Sequence, residues 1–536
     1  MTFVASSRKS TTTITKGRKM RRMRSRSTKR TVATRTMLMM IMVLVSSTFC
    51  FWNGSSRCGD GPRQQQQIQM VMVASAQEYD TSKTRALIKW KIPADPQAII
   101  DTILEYAEGG QVLELLVSLF LISIAIDESN RDAIVKFIEE TDLIEYAEID
   151  QLRGTQEYGP HRVVSTEEHR QLQVGGQKQP YSISMVQVDF FWGLPDVTTD
   201  AKVCVVDTGY DVFHEDLSSA LDPLADVDGT TTPAGTWYTD VQGHGTHCSG
   251  TIGALDNGFG VVGVREKPAD SVVHIGRGLN DDGNGYTSTI LGSVNACVEA
   301  GARVVSLSLG GTYSSQAEQD FYNDVYNSGV LIVAAAGNDG DNGYQYPAAY
   351  PSVMSVAAVD ESERRPKFSQ CNDQVEIAAP GVDILSTYPP NQYAELSGTS
   401  MACPLVAGVA AQLMSYFPEC TNYQIRNVLH RTAKVIGQVD KCNNGYGSGL
   451  MQGKDAYDLL QAEGCAAGGP IIVDDPAAAA VGGCEQNPDY DSFNNTDRYS
   501  CPGGSVSASP SVISSSGLAT YGILACISAA SLLFSL

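Results

Sequence analysis

Between residues 177 and 465 the chain alternates short apolar runs with helices that end at glycine. The runs are rich in β-branched residues, as buried strands are, and lie at Val203–Val206, Val272–Ile275, Val304–Leu309, Leu331–Ala335 and Val353–Ala357. Helical stretches at Thr287–Ala300 and Ser314–Ser328 are each followed by a glycine. Strands joined through helices run parallel and are buried on both faces, so the alternation predicts an α/β fold whose parallel sheet has helices on both sides.

A second pattern precedes this region. Residues 84–150 predict a small α+β domain, with strands and helices at Arg85–Lys91, Asp95–Glu108, Val112–Ile126 (apolar), Asn130–Glu140 and Leu143–Ile149. We expect residues 53–83 to be a glutamine-rich linker and 151–176 a polar loop. Residues 466–517 are rich in Gly, Ala, Ser and Pro, carry a glycosylation signal at Asn494, and are expected to form a stalk.

The distribution of charge argues against a nucleic-acid partner. Residues 1–36 hold 12 of the 38 basic side chains and no acid, which leaves 26 basic against 60 acidic side chains, a net of −34, in the rest of the chain. Such an acidic body repels phosphate backbones. The 13 cysteines favour an oxidising compartment.

Both ends of the chain predict export. Residues 1–52 join a basic lead to the apolar segment Met37–Trp52, which is typical of a secretory signal; the alternative is an uncleaved anchor. A small polar spacer precedes the uncharged tail Leu518–Leu536. This order indicates a glycosylphosphatidylinositol attachment signal, with a tail-anchoring helix or an apolar end without a role as alternatives. We therefore expect a protein that is secreted or held at the cell surface.

Two polar side chains lie at positions where parallel α/β sheets commonly form active sites. Asp207 follows the first strand at its carboxyl end, where such sheets bind ligands, although many strands end in Asp. His244 lies in the segment GHGTHCSG, whose small residues let a helix pack closely while it presents an imidazole. His247 makes a metal pair an alternative, but no third ligand accompanies the two histidines.

Ser400 and Asn338 complete a catalytic pattern. Ser400 precedes the helix Leu405–Phe417, so it lies near a helix N-terminus, where backbone N–H groups can stabilise an oxyanion. Such a serine is otherwise a helix N-cap. Asn338 follows the strand Val330–Ala336 and either forms a turn or donates its amide to the same oxyanion. The chain order Asp207, His244, Ser400 favours nucleophilic catalysis.

Five segments together resemble the subtilisin family of serine proteases. In the family's order within residues 177–465, they are VVDTGYDVFHEDL, GHGTHCSGTIGAL, VVSLSLGG, AAAGNDG and LSGTSMACP. The resemblance implies a subtilisin-like three-layer sandwich and a serine endopeptidase. It also implies that Asp207 orients His244, that His244 is the general base and then acid, that Ser400 is the nucleophile, and that Asn338 and the Ser400 N–H form the oxyanion hole.

The resemblance also implies where a polypeptide substrate binds, as a strand between two edges of a cleft. One edge is formed by Ser308, Leu309 and Gly310, the other by Asp282, Gly283, Asn284 and Gly285, and the S1 wall by Ala335, Ala336 and Gly337. Asp339 and Asp341 either favour a basic residue in that pocket or are ordinary surface acids.

A calcium site is implied by the segment Leu255–Val261, which resembles the family's tight calcium loop. The implied ligands are six oxygens, from the carbonyls of Leu255, Phe259 and Val261 and the side chains of Asn257, Asp216 and Gln177. Such a set suits a hard Ca²⁺ ion. The alternative is an ordinary glycine turn.

The cysteines divide into two groups. Cys248 resembles the buried free thiol of the proteinase K branch, which implies sensitivity to mercurials, and Cys403 lies close to Ser400 in the same way. Disulfides could join Cys420 to Cys442, or members of the set Cys465, Cys484 and Cys501.

Residues 84–150 resemble the family's inhibitory propeptide, which templates folding and caps the active site until it is cut away. We expect the scissile bond between about Gly154 and Gln177, because Gln177 must be free to reach the calcium site. The sequence therefore predicts a secreted, self-processed, monomeric serine endopeptidase. The alternative is a surface-tethered peptide-binding protein with little turnover.

Overall fold

The structure is a computed structural model that describes residues 84–91, 95–106, 111–126, 141–195, 197, 201–218, 227–265, 273–437, 444–469 and 513–514. The expected signal segment, linker, C-terminal tail, helix Asn130–Glu140 and most of the stalk lie outside these residues. Within the described ranges, no helix combines the length and apolar character that crossing a membrane requires.

The secondary structure of the described residues is as follows. The strands are β1 (Thr84–Trp90), β2 (Gln111–Leu116), β3 (Leu121–Ile126), β4 (Ile144–Ile149), β5 (Leu152–Thr155), β6 (Arg162–Val163), β7 (Val203–Asp207), β8 (Val227–Thr230), β9 (Val273–Arg277), β10 (Asn284–Tyr286), β11 (Val304–Leu307), β12 (Leu309–Gly310), β13 (Leu331–Ala335), β14 (Val353–Val359), β15 (Ile377–Pro380), β16 (Ile384–Tyr388), β17 (Gln392–Leu396) and β18 (Ile513–Ser514). The α-helices are α1 (Pro96–Tyr106), α2 (Thr166–Val174), α3 (Tyr181–Met185), α4 (His244–Gly253), α5 (Thr287–Glu299), α6 (Gln316–Asn327), α7 (Thr399–Tyr416), α8 (Asn422–Thr432) and α9 (Gly453–Glu463). Short 3₁₀ helices span Val117–Leu119, Val188–Gly193 and Gly464–Gly468.

A seven-stranded sheet forms the centre of the larger domain. Its strand order is β15-β14-β13-β11-β7-β9-β8, and every pair is parallel. The α/β fold predicted from the alternating pattern is therefore confirmed. The predicted strand Val304–Leu309 divides into β11, which stays in the sheet, and β12, which leaves it and pairs with β5.

Helix α7 is the buried axis of this domain. Its residues Thr399–Ser415 are all buried, and it packs against β11, β13, β14 and β15 and against α4. Small side chains make this possible: a Cβ on Gly408 would meet the Val264 side chain at 3.0 Å. The first turn of α7 is thereby held rigidly at the carboxyl edge of the sheet.

Strands β1 to β4, which precede the larger domain, form a separate antiparallel sheet with the late strand β18, in the order β18-β4-β1-β3-β2. Its core, which includes Ile88, Trp90 and Ile103, is distinct from the core of the larger domain. The apolar stretch predicted at Val112–Ile126 forms two strands, because Phe120 adopts a left-handed conformation after Val117–Leu119 and reverses the chain. Leu87, Leu121 and Tyr146 pack into the main core, so the two domains share an interface.

The polar loop predicted at residues 151–176 is wrong, because β5, β6 and α2 lie there. Helix α2 begins with a capping box in which Ser165 and Glu168 each accept a hydrogen bond from the other's backbone N–H. Only His169 and Leu172 of α2 are buried, so the helix has too few apolar positions to produce a helical pattern in the sequence.

Disulfide pairing also differs from one of the expectations. Cys420 is bonded to Cys465, so a bond to Cys442 is excluded; the 3₁₀ helix Gly464–Gly468 packs on α8 and brings Cys465 to Cys420. A second disulfide joins Cys204 to Cys297. Cys248 and Cys403 are buried and free.

Candidate active site

The carboxyl end of β7 brings Asp207 against His244. Both side chains are fully buried, and His244 Nδ1 lies 2.9 Å and 3.0 Å from the two carboxylate oxygens of Asp207. The backbone N–H of Thr208 donates to Asp207 Oδ1 at 2.7 Å and holds the carboxylate in place. Gly245 permits this approach, because a Cβ there would lie 2.3 Å from the carbonyl oxygen of Gly209 and 3.2 Å from Asp207 Cβ.

The charge of Asp207 determines how His244 titrates. Burial alone would lower the pKa of His244, but the adjacent Asp207 carboxylate outweighs it and raises that pKa well above its ordinary value. His244 Nε2, on the other side of the ring, is buried without a hydrogen-bond partner. The imidazole is thus oriented at one nitrogen and available for proton transfer at the other.

His247 does not join His244 in a metal pair. Its Nε2 lies 2.9 Å from the carbonyl oxygen of Ile384 and 3.2 Å from that of Ala394, in a fully buried position. Burial lowers the pKa of His247 to about 3, so it is a neutral donor that ties α4 to the β16–β17 hairpin.

Ser400 lies in the first turn of α7 and is fully buried in this structure. Its Oγ donates to the carbonyl oxygen of Ser308 at 3.0 Å, so it is turned away from His244 Nε2. The Cys248 thiol lies between the two residues, 3.8 Å from His244 Nδ1 and 3.6 Å from the Ser400 carbonyl oxygen. Burial raises the pKa of Cys248 and keeps it a neutral thiol.

Asn338 follows β13 and is held by the residue before Ser400. Its Oδ1 accepts hydrogen bonds from the N–H and the hydroxyl of Thr399, both at 3.0 Å. The amide nitrogen, Nδ2, therefore points the other way, and it is buried without a partner.

The chain's own residues 152–158 fill the cleft beside these side chains. Strand β5 lies between β10 and β12 and pairs antiparallel with both, Gly154 opposite Asn284 on one side and Gly310 on the other. The predicted substrate edges, Ser308–Gly310 and Asp282–Gly285, thus flank a segment of the same polypeptide.

Beyond β5, the chain runs past Ser400. The N–H of Gln156 donates to the Ser308 carbonyl at 3.2 Å, and the N–H of Ser400 donates to the Gln156 carbonyl at 3.2 Å. A Cβ on Gly398 would lie 2.4 Å from that Gln156 oxygen and 3.2 Å from Asn338 Nδ2. The carbonyl oxygen of Gln156 and the unpartnered amide of Asn338 therefore border the same small space.

The predicted S1 wall lies at the end of β13. The backbone N–H of Gly337 donates to the Thr399 hydroxyl, and its carbonyl accepts from the N–H of Gln370. Asp339 and Asp341 are both engaged: the Gln345 amide donates to Asp339 at 2.5 Å, and the Gln370 amide donates to Asp341 at 2.8 Å.

Most of the residues implied as calcium ligands cluster at the loop after α4. The side-chain amide of Gln177 contacts the carbonyl oxygens of Leu255 and of Val261, the latter at 2.7 Å. The Asp216 carboxylate accepts from the N–H of Val261 at 2.7 Å and from the Asn257 amide at 3.0 Å. Phe259 lies in the same loop, where its N–H donates to Asn257 Oδ1 at 3.2 Å.

The carbonyl, carboxylate and amide oxygens of this cluster are suitable ligands for a cation. Burial raises the pKa of Asp216 to about 8, so a positive charge beside it would be strongly favoured. A half-turn of the Gln177 amide would direct its oxygen at the point where the carbonyl oxygens of Leu255 and Val261 already converge. Gln177 occupies this position in the uncut chain, so the expectation that cleavage must first free it is wrong.

Two partners in the cleft were missed from the sequence. Arg153 on β5 is 1 % exposed and forms a two-point ion pair with the fully buried Glu318 of α6, with Nη2 to Oε2 at 2.6 Å and Nε to Oε1 at 3.3 Å. Nothing in the local pattern separates Glu318 from an ordinary acid in the first turn of a helix. A long-range contact of this kind leaves no signal in a single sequence.

Comparison with known proteins finds relatives of the larger domain. Residues 198–449 match the model of the Subtilase family. Subtilisin DY of Bacillus licheniformis is 39% identical over 280 residues, which are 51% of this chain and 97% of that protein. The thermostable alkaline protease of Halalkalibacterium halodurans is 38% identical over 50% of this chain and 72% of its own length. The solved structure of the psychrophilic subtilisin-like protease Apa1 from Pseudoalteromonas sp. AS-11 covers 55% of this chain and all of its own, at 27% identity and a TM-score of 0.48.

Proposed function

The chain belongs to the subtilase family and is a serine-type endopeptidase, and on that premise we propose that it works through Asp207, His244, Ser400 and Asn338 and first cuts its own Gln156–Glu157 bond. The observation that carries the proposal is the 3.2 Å hydrogen bond from the Ser400 N–H to the Gln156 carbonyl. A carbonyl held in this way at a helix N-terminus is polarised for attack.

The proposed reaction begins with a rotation of the Ser400 side chain from the Ser308 carbonyl towards His244 Nε2. Ser400 Oγ then bonds to the carbonyl carbon and its proton passes to His244, whose imidazolium is stabilised by Asp207. The Ser400 N–H and Asn338 Nδ2 hold the oxyanion. When the intermediate collapses, the C–N bond breaks and His244 gives the proton to the leaving amine. Water then hydrolyses the acyl-enzyme by the same route.

Residues 84–156 are proposed to be the propeptide and intramolecular inhibitor. Support comes from the way they cover the cleft and from their carboxylates, which cap two helices of the larger domain. Glu148 accepts hydrogen bonds from the backbone N–H groups of Gln316 and Ala317 at the start of α6. Asp150 accepts from the N–H of Ser288 at the start of α5. We propose the domain boundary at residue 156. The pairing of β6 with β17 and the packing of α2 beside Tyr393 in the larger domain support it.

A structural calcium ion is proposed at the loop after α4. Gln177, Asp216 and Asn257 would hold it with their side chains, and Leu255, Phe259 and Val261 with their carbonyls. The ion would neutralise the buried carboxylate of Asp216 and link the segment after the propeptide to the larger domain. It takes no part in the chemistry.

Secretion is proposed from the signal-like segment Met37–Trp52 and from the disulfides Cys204–Cys297 and Cys420–Cys465, since such bonds persist in oxidising compartments. Membrane attachment through residues 518–536 remains a proposal from the sequence. N-terminal sequencing of the exported protein tests both secretion and the proposed cut, which predicts a mature chain that begins at Glu157.

The proposed function is tested by expressing the full chain beside Ser400→Ala. We expect the wild type to yield a processed form that cleaves denatured protein and is blocked by phenylmethylsulfonyl fluoride, and the variant to remain uncut. Ser293→Ala is the matched control, because this hydroxyl is buried and unpartnered away from the cleft. Equal processing of Ser400→Ala and wild type would overturn the assignment. An uncut, inactive wild type would support the peptide-binding alternative.

A further inference from the structure

Arg153 enters a closed pocket beside the cleft. The guanidinium donates to both carboxylate oxygens of Glu318 and, through Nη2, to the carbonyl oxygen of Tyr313 at 2.9 Å. The ion pair is completely shielded from solvent on both sides. Gly311 provides space for the Arg153 side chain, because a Cβ at this position would lie 3.1 Å from Nη1 and 3.3 Å from Cδ of Arg153.

The carboxylate belongs to the pocket rather than to the segment that fills it. Glu318 is held in the first turn of α6, where its N–H donates to the N-cap hydroxyl of Ser315 at 3.1 Å. The Tyr350 hydroxyl donates to Glu318 Oε2 at 2.9 Å. Among the described basic residues, only Arg153 forms an ion pair with Glu318. When residues 152–156 leave the cleft, the pocket therefore keeps a fixed acid that has lost its cation.

Arg153 is the fourth residue on the amino side of the proposed Gln156–Glu157 cut, and β5 occupies the cleft as a strand. A substrate bound as a strand in the same register places its own fourth residue in this pocket. On the basis of the proposed function, we infer that Glu318 makes the pocket an arginine subsite and that the mature enzyme selects polypeptides with arginine four residues before the cleaved bond.

The physical reason is the cost of leaving a buried carboxylate unpaired. An apolar or small side chain would cover Glu318 without neutralising it, whereas arginine restores two parallel charge-assisted hydrogen bonds. Lysine restores the charge but offers no planar fork, so it should rank between arginine and alanine. Because the pair is shielded from solvent, the preference should persist at high salt.

The test uses the self-processed protein and quenched fluorescent peptides that copy residues 150–160. Three peptides are compared, which carry arginine, lysine or alanine at the position that corresponds to Arg153. We expect kcat/KM for the arginine peptide to exceed that for the alanine peptide by about 10²-fold, the order of effect seen when a buried charge pair is broken. The lysine peptide should fall between the two.

The variant Glu318→Gln should lower kcat/KM for the arginine peptide by about 10²-fold and leave the alanine peptide nearly unchanged. Asp324→Asn, which removes an exposed acid from the same helix, should preserve the preference. If Glu318→Gln fails to fold, the wild-type peptide comparison decides alone.

Equal kcat/KM for the arginine and alanine peptides in the wild type would overturn the arginine subsite while the proposed function stands. A wild type that cleaves neither these peptides nor denatured protein would overturn the proposed function, and the subsite with it.

Discussion

The backbone N–H of Ser400 donates a 3.2 Å hydrogen bond to the carbonyl oxygen of Gln156. This contact joins the first turn of α7 to a residue that precedes the larger domain, and it does so while His244 Nε2 and Asn338 Nδ2 are both buried without partners. Leaving buried polar atoms unpaired is costly. As the tetrahedral intermediate forms, His244 Nε2 takes up the Ser400 proton and Asn338 Nδ2 donates to the oxyanion, so both atoms gain partners. The buried polar atoms of the site therefore have more hydrogen-bond partners in the tetrahedral intermediate than in the uncut chain.

Removing the Asn338 amide should slow turnover more than binding. Asn338→Ala should lower kcat by about 10²–10³-fold with little change in KM, the loss that removing such a donor causes in subtilisin itself. Thr399→Val keeps the amide but deletes the hydroxyl that orients it, so a smaller loss is expected. Steady-state kinetics on a peptide substrate measures both, and an equal rise in KM for both variants would contradict the assignment.

The pH dependence of activity should report on Asp207. His244 must be neutral to accept the Ser400 proton, and Asp207 raises the pKa of His244, so kcat/KM should increase with pH along a limb above about 6.5, the ordinary histidine value. Asp207→Asn removes the raising charge, so the limb should move to lower pH as kcat falls by about 10⁴-fold. A limb that stays in place would show that another group titrates.

Chelation should destabilise the protein through the loop after α4. Calcium at about 100 times its Kd contributes about 2.7 kcal/mol, so EDTA should lower the Tm by roughly 5 °C for a domain of this size. Asp216→Asn should lower the Tm in calcium and abolish the response to EDTA. Asp256→Asn, an exposed acid of the same loop, is the control and should respond like the wild type. A wild-type melting curve that EDTA leaves unchanged would remove the calcium proposal.

Release of the cleaved propeptide should be promoted by rising pH. Burial in the domain interface, with Asp150 nearby, raises the pKa of Glu114 from 4.5 to about 7. Because the complex holds this proton more tightly than a free, solvated Glu114 would, association takes up a proton between about pH 4.5 and 7. The affinity should therefore fall as pH rises through this window and level off above pH 7.

Dissociation of the processed complex, followed by recovery of activity from pH 5 to 8, measures this effect. Glu114→Gln should flatten the profile, whereas Glu145→Gln, an exposed acid of the same domain, should not. Tighter binding at pH 8 than at pH 5 would contradict the prediction.

The parts of the fold that sequence predicts are those with a periodic apolar pattern. Strands β7, β9, β11, β13 and β14 are buried along their whole length and rich in apolar residues, because a parallel sheet buries both of its faces. Each of the four candidate catalytic residues has a glycine within two positions in the sequence, and such glycines make a local motif recognisable. The small domain is predicted for the same reason, since β1 and β3 are largely apolar.

The missed features depend on contacts between distant residues. Strand β5 contains Arg153 and Gly154, which are poor strand formers, and it is extended only because β10 and β12 pair with it. Helix α2 depends on its capping box more than on burial. The partnership of Arg153 with Glu318 joins two residues that look like surface charges until the fold encloses them.

The contact of Gln177 with the carbonyls of Leu255 and Val261 has a consequence for maturation. In the uncut chain β6 and α2 already hold residues 162–174 against the larger domain, so the peptide on the carboxyl side of Gln156 is anchored independently of the bond to be cut. Cleavage then changes the connectivity of the polypeptide without requiring the oxygen cluster to be rebuilt. The larger domain is already folded in the precursor before the Gln156–Glu157 bond is cut. The slow step of maturation should therefore be dissociation of the propeptide rather than refolding of the enzyme.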